Sequence, residues 1–196
     1  MDPSIRISRM SETGYLKIIL GCMFSGKTSK LISIYKHNLI ADIPTCIVNY
    51  IGDRRYDDEL MSTHDGTKIK CERVDNLTEL ISGEKGMRIL SEAKSFIINE
   101  GQFFKDLYIV VKMLVCDFKK IVYVGGLDGD YKMNKFGELI DLIPLCDEVE
   151  KLTAICGVCK NTAAFTRREI DDDRQILIGS KDKYIPVCRK CHSWKG

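Results

Sequence analysis

The sequence predicts an α/β fold: a mostly parallel sheet covered on both faces, with a small metal-stapled segment near the C-terminal end. Three observations carry the prediction. Short β-prone or apolar runs alternate with helical segments through residue 150. A glycine-rich turn joins the first such run to the first helical segment. Two Cys-x-x-Cys pairs sit close to the end of the chain.

Taken in order, Tyr15 to Leu20 (YLKIIL) is β-prone and runs straight into GCMFSGKT. In SKLISIYKHNLI, Leu31, Ile34, Tyr35 and Leu39 fall near helical spacing, so strand, turn and helix follow one another. Asp42-Ile43-Pro44 breaks that pattern, and Thr45 to Tyr50 (TCIVNY) reads as the next strand. Gly52 to Thr67 is polar, rich in Asp and Arg, and reads as a loop or weakly structured segment. Asn76 to Ser82 reads as a short helix, and Ser95 to Asn99 (SFIIN) as a core strand. Phe103 to Lys120 has the length and apolar content of a helix, and Ile121 to Val124 (IVYV) is a strand closed by Gly125-Gly126. Beyond Leu145 the character changes to short apolar stretches, an acidic DDDR segment and the cysteine pairs.

A chain of 196 residues can bury roughly 70% of its extended surface, enough for a full α/β core. Its 44% hydrophobic and 30% charged residues are those of an ordinary soluble domain. No apolar run approaches a membrane span, and the polar start argues against secretion, so a cytoplasmic protein is expected. A net charge of +2 with scattered basic residues lacks the stripe of a nucleic-acid binder.

Gly21, Cys22, Met23, Phe24, Ser25, Gly26, Lys27 and Thr28 satisfy G-x-x-x-x-G-K-[ST] in full, after a strand and before a helix. Backbone N–H groups of such a turn cradle the phosphates of a nucleoside triphosphate. Lys27 is placed to reach the β- and γ-phosphates and Thr28 to enter a Mg²⁺ shell. The fold class is thus a P-loop nucleoside-triphosphate-binding core.

Such a core needs an acidic group at the end of a neighbouring strand. SFIIN ends in Asn99-Glu100-Gly101-Gln102-Phe103-Phe104. Asn99 stands where a magnesium-associated Asp is expected, and it carries no charge. Glu100 is then the carboxylate this strand places, within reach of a substrate hydroxyl as a general base. Phe103 and Phe104 read either as a wall of a base-sized pocket or as core. Asp53, Arg54 and Arg55 follow the second strand, where an arginine can neutralise a transferring phosphoryl group; a solvated charge cluster is the equal alternative.

Of nine cysteines, five are scattered and read as small buried hydrophobes: Cys22, Cys46, Cys71, Cys116 and Cys146. The other four, Cys156, Cys159, Cys188 and Cys191, form two C-x-x-C units 28 residues apart, a strong signal for structural Zn²⁺ in a closed S₄ site. His192 is a substitute ligand in reserve. A P-loop ATPase or GTPase switch and a zinc-ribbon nucleic-acid module remain open as alternatives on these residues alone.

Taken together, GCMFSGKT (21–28), DRRY (53–56), NEGQFF (99–104), GGLDGDYKMNKFG (125–137), KLTAICGVC (151–159), AAFTRR (163–168) and KDKYIPVCRKC (181–191) resemble the type II thymidine kinases of cells and large DNA viruses. The size and departures resemble a viral member. The resemblance implies γ-phosphoryl transfer from ATP-Mg²⁺ to the 5′-hydroxyl of thymidine, more weakly to deoxyuridine, for DNA precursor salvage. It also implies inhibition by thymidine triphosphate, a homotetramer, and neither nucleic-acid nor membrane partners. Glu100 matches the family's base, Lys27 its phosphate lysine, and Arg55 the arginine near the transferring phosphate, with Asp53 beside it and near the metal. Met23, Leu127, Tyr131, Thr166 and Tyr184 match residues around thymine and sugar. Gln102, Phe103 and Phe104 contribute to the same site, and Phe136 packs near it. Asn99 for Asp, and Tyr131 where Phe is common, depart from the family, as do Cys22 and Asp130. The resemblance divides the chain into a flexible N-terminus (1–14), a P-loop kinase domain (15–150) and a zinc-bound lasso over the base (151–196).

Overall fold

A computed structural model of the chain describes residues 12–52, 60–62, 68–177, 179 and 182–193. Most of the segment expected to be a flexible N-terminus lies outside these residues, as do Asp53, Arg54 and Arg55. The main sheet is built from β1 (Tyr15–Gly21), β2 (Thr45–Tyr50), β5 (Glu72–Val74), β6 (Ser95–Ile98), β7 (Ile121–Gly126) and β8 (Glu148–Leu152). Its order is β5-β2-β6-β7-β1-β8, and each pairing is parallel. The hairpin β3 (Leu60–Ser62) and β4 (Lys68–Lys70) stands apart from it. Helices α1 (Lys27–Ile40), α2 (Leu77–Ile81), α3 (Gly83–Glu92) and α4 (Leu107–Lys112) make the connections.

Parallel strands buried on both faces read as unbroken apolar runs, and successive side chains serve opposite layers. Leu16, Ile18 and Leu20 join Phe96, Ile98, Val122 and Val124 in the larger core with α2, α3 and α4. Ile19, Ile47 and Ile97 turn the other way, against Leu31 and Ile32 of α1. On α1 the inward face continues to Asn38 rather than Leu39, which is 55% exposed. The buried Asn38 amide donates to Thr45 Oγ1 at 3.0 Å and Ser95 Oγ at 3.2 Å, pinning the helix end to the starts of β2 and β6.

Several local expectations change. Part of the polar 52–67 stretch pairs as β3, because cross-strand partners from Lys68 onward supply hydrogen bonds that local sequence does not reveal. Helix α3 was not expected; its first four residues hold two glycines, which weaken a helical signal. The single helix expected over 103–120 is instead a 3₁₀ turn (Gly101–Phe103), α4 and a π-helical turn (Met113–Asp117). Asp106 explains part of that break: its carboxylate accepts from Leu77 N, Thr78 N and Thr78 Oγ1, capping α2 from outside. The sheet's last strand, β8, runs to Leu152, across the 150/151 division. Among the scattered cysteines only Cys22 is fully buried, the rest being half-buried. Among the described residues no helix is long and apolar enough to cross a membrane.

Edge strand β8 is charged, as edges commonly are. Lys17 Nζ lies 2.8 Å from Glu148 and 2.7 Å from Glu150, and Lys30 lies 3.0 Å from Glu150. Hydrogen bonding from Lys17 lowers the Glu150 carboxyl below the ordinary carboxylate range. Burial opposes the Lys17 ammonium, yet its bonds to Glu148 and Glu150 outweigh this and raise it. A depressed carboxyl adds stability that is full above the ordinary carboxylate range and lost as pH falls through the folded value. The melting temperature is therefore expected to fall between about pH 5 and pH 3 more steeply in wild type than in Lys17→Met. Equal slopes in thermal melts would remove this role from the lysine.

Candidate functional site

The carboxyl ends of four neighbouring strands converge on one edge of the sheet, where open α/β folds hold their ligands. β1 delivers the glycine-rich turn, β2 ends at Tyr50, β6 leads to Asn99-Glu100, and β7 ends in Gly125-Gly126. β7 stands between β1 and β6.

The turn's backbone explains its residues. Gly26 has φ 86°, and a Cβ at Gly21 would come 2.6 Å from Leu152 O, so glycine is needed at both ends. Lys27 Nζ donates to Cys22 O at 2.7 Å, keeping the ammonium folded over its own turn. Thr28 Oγ1 lies 3.4 Å from Asn99 Oδ1, and Asn99 Nδ2 donates to Asn49 Oδ1 at 3.0 Å. The asparagine's carbonyl oxygen is thereby turned toward Thr28. Hydroxyl and carbonyl oxygens are hard donors that suit Mg²⁺, which keeps much of its water.

Glu100 is 8% exposed, and its backbone sits in the left-handed region at φ 57°, ψ 39°. For a non-glycine residue this conformation costs on the order of 1–3 kcal/mol and tends to mark functional positions. Gln102 Nε2 donates to Glu100 Oε2 at 2.6 Å. The adjoining phenylalanines divide. Phe104, 1% exposed, belongs to the main core, whereas Phe103 stacks on Tyr50 at 5.0 Å and meets Phe136 edge-on at 5.5 Å.

The C-terminal segment leans on this edge. It comprises β9 (Ala154–Ile155) with β10 (Thr162–Ala163), β11 (Phe165–Arg168) with β12 (Tyr184–Val187), and α5 (Arg189–Ser193). Thr166 Oγ1 accepts from Met23 N at 3.0 Å, and Cys22 Sγ approaches Ala163 O at 3.5 Å. A cavity of about 140 Å³ lies beside these contacts, lined by Cys22, Asp128, Asp130, Met133, Lys151 and Thr166 among others.

Cys156, Cys159, Cys188 and Cys191 bring their sulfurs within 4.8 Å of one another. Zinc–sulfur bonds of about 2.3 Å in a tetrahedron require S···S separations near 3.8 Å, and Cys159 and Cys188 stand 3.6 Å apart. Burial opposes ionisation of Cys156, but N–H groups of Cys159, Cys188 and Val158 aimed at its sulfur lower the thiol. The N–H of Cys191 lowers Cys188, while burial and the neighbouring thiols raise Cys191. Four thiols so arranged suit a structural metal ion with no open position. His192 is not part of the cluster: its Nε2 lies 2.9 Å from Tyr131 O.

The thymidine kinase family profile matches residues 14–192, almost the whole chain. The chain belongs to the thymidine kinase family. It is 36% identical to the thymidine kinase of Sheeppox virus (strain KS-1) over 92% of its own length and 98% of that protein. It is 40% identical to thymidine kinase a of Arabidopsis thaliana over 91% of its length and 74% of the relative. The thymidine kinase of Choristoneura fumiferana entomopoxvirus is 38% identical, over 91% of this chain and 96% of the relative. This member of the family is an enzyme with kinase activity.

Seven of the residues expected around a nucleoside fall in two places. Gln102, Phe103, Leu127 and Phe136 gather at the ends of β6 and β7. Tyr131, Thr166 and Tyr184 lie on or against the C-terminal segment. Arg168, absent from the expected set, links that second group. Its side chain is 2% exposed, donates to the carbonyls of Asp172, Arg174 and Gln175 and to Tyr184 Oη, and lies 3.8 Å from the Tyr131 ring centroid. Tyr184 Oη in turn donates to Leu177 O at 2.8 Å. Asp130 makes a second link, accepting from Lys132 N, Asn134 N and Gln175 Nε2, each at 2.9 Å. The turn N–H groups bonded to Asp130 are local, but its link to Gln175, like the stacking of Arg168 on Tyr131, is chosen by the fold.

Proposed function

We propose that the chain transfers the γ-phosphoryl group of ATP to the 5′-hydroxyl of thymidine, and more weakly to that of deoxyuridine, giving the monophosphate for DNA precursor salvage. One observation carries the proposal. Two carboxylates are buried among the described residues, and Asp130 lies in a turn, accepting from Lys132 N, Asn134 N and Gln175 Nε2. Glu100 is the one that stands at the strand ends beside the glycine-rich turn, where a kinase needs its base. Family membership supports the same chemistry, and the relatives compared are named thymidine kinases.

Gly21 to Thr28 would hold the triphosphate through backbone N–H groups, with Lys27 neutralising charge on the transferring group. Thr28, Asn99 and Asp53 would hold Mg²⁺, which when bound would offset the negative charge of the phosphates. Asn99 contributes no formal charge, so this chain leans more on Lys27 and Arg55 than a site with an aspartate at that position does. Glu100 accepts the 5′-hydroxyl proton as the oxygen attacks phosphorus, and the γ-phosphoryl leaves ADP. The aromatic group of Phe103 and Phe136 flanks the base, while Met23, Leu127, Tyr131, Thr166 and Tyr184 complete its surroundings. The segment between the cysteine pairs acts as a lasso held by zinc, keeping water from the phosphoryl group. A homotetramer and inhibition by thymidine triphosphate belong to the same proposal.

An ATP-dependent phosphorylation screen across the nucleosides, with and without added thymidine triphosphate, tests it. Thymidine should be the best acceptor, deoxyuridine slower, purine nucleosides inert, and the triphosphate suppressive. ATP or GTP hydrolysis that proceeds without any acceptor being phosphorylated would instead mark a P-loop switch.

A further inference from the structure

The amide of Gln102 has one possible orientation. Leu127 N–H can only donate, so the atom 2.9 Å from it must be the amide oxygen, and the nitrogen is then the atom 2.6 Å from Glu100 Oε2. The side chain that spans these partners is 3% exposed. Its position is also carved into the surrounding backbone. A Cβ on Gly126 would come 2.4 Å from Gln102 Oε1, and one on Gly137 would come 2.1 Å from Gln102 O. Gly137 moreover has φ 62°, a conformation that favours glycine. Two glycines thus keep open the space that this one residue fills, and the end of β7 supplies the N–H that anchors it.

We propose that Gln102 is the positioning residue of Glu100: anchored on Leu127 N–H, it fixes the rotation of the carboxylate that takes the substrate proton. The inference rests on Glu100 being the base. It also changes the role of Gln102 from the nucleoside contact expected on resemblance. Its carbonyl accepts from Leu127 N–H and one N–H of its amide goes to the carboxylate, so we assign its effect to Glu100. The physical reason for such a device is the backbone at Glu100. A residue held in the left-handed region at a strand end has a side chain that local helix or strand packing does not orient, and a buried amide supplies the missing restraint. A general base works only within hydrogen-bond reach of its proton, and misplacement by about 1 Å can cost on the order of a hundredfold in rate.

The test is a double-mutant cycle in the full zinc-loaded chain. Gln102→Met keeps the volume and removes both hydrogen bonds. Gln102→Asn keeps the amide but is one methylene too short to span Leu127 N–H and Glu100, so it guards against a variant that simply fails to fold. Each single change should lower kcat by roughly 10- to 100-fold with KM for ATP and nucleoside within about twofold. In a Glu100→Gln background, Gln102→Met should change kcat by less than about twofold, because the group it positions is gone. Multiplying losses, or a raised nucleoside KM at unchanged kcat, would overturn the positioning role and make Gln102 a structural or ligand-contacting residue. Unchanged kcat in Gln102→Asn would overturn it as well. Should Glu100→Gln alone keep its turnover, the base assignment itself falls, which is a distinct result.

Discussion

Replacing Glu100 by glutamine should lower kcat by about 10²- to 10⁴-fold while nucleoside binding stays within about twofold. That range corresponds to roughly 3–5 kcal/mol of transition-state stabilisation. Glutamine has the same shape, and its carbonyl can still accept from Gln102 Nε2, so the pocket should survive the change. What is lost is the capacity to take a proton in the transition state, an effect confined to turnover. Steady-state kinetics for both substrates, with nucleoside affinity measured directly, check the result. A variant with near-normal kcat would show that another group, or solvent, removes the 5′-hydroxyl proton.

Metal removal should have the second largest effect. Elemental analysis of protein never exposed to chelator is expected to find about one zinc per chain. Among the described residues, the buried apolar cluster of the C-terminal segment is small, comprising Cys156, Ala163, Val187 and Cys191. Burial contributes roughly 1–3 kcal/mol for a side chain the size of valine, whereas structural zinc in small modules supplies on the order of 10 kcal/mol. Metal is therefore the main restraint on the two turns. Cys188→Ser, or stripping by a chelator, should lower the melting temperature and reduce kcat/KM for the nucleoside at least about tenfold, with recovery on adding Zn²⁺ to stripped wild type. ATP affinity should also fall, because Thr166 and Ala163 touch Met23 and Cys22 of the glycine-rich turn. Protein purified without zinc and fully active would remove this role from the cluster.

The match between sequence and structure is uneven, and particular residues show why. YLKIIL, SFIIN and IVYV were legible as strands because parallel strands buried on both faces leave an unbroken apolar signature. β8 was missed because it is an edge: Glu148 and Glu150 face Lys17 and Lys30, so half its pattern is charge rather than burial. The cysteine pairs were legible because ligand spacing within each turn is a local constraint. The role of His192 was not, since its nitrogen meets a carbonyl 61 residues away, at Tyr131. Phe103 and Phe104 could not be told apart in sequence; the 3₁₀ turn decides that one stacks on Tyr50 and the other enters the core.

By itself the sequence determined an α/β class with a mostly parallel sheet, a glycine-rich turn between a strand and a helix, and four thiols paired for a metal. Each of these is written within a turn or a strand, where backbone conformation and side-chain periodicity act over a few residues. Only the tertiary structure decided that Asp106 caps a helix nearly thirty residues earlier, that Arg168 gathers the 172–175 segment against Tyr131, and that Gln102 joins Glu100 to the end of β7. A buried polar group must find a partner, but which one it finds depends on the strands and turns that packing brings beside it.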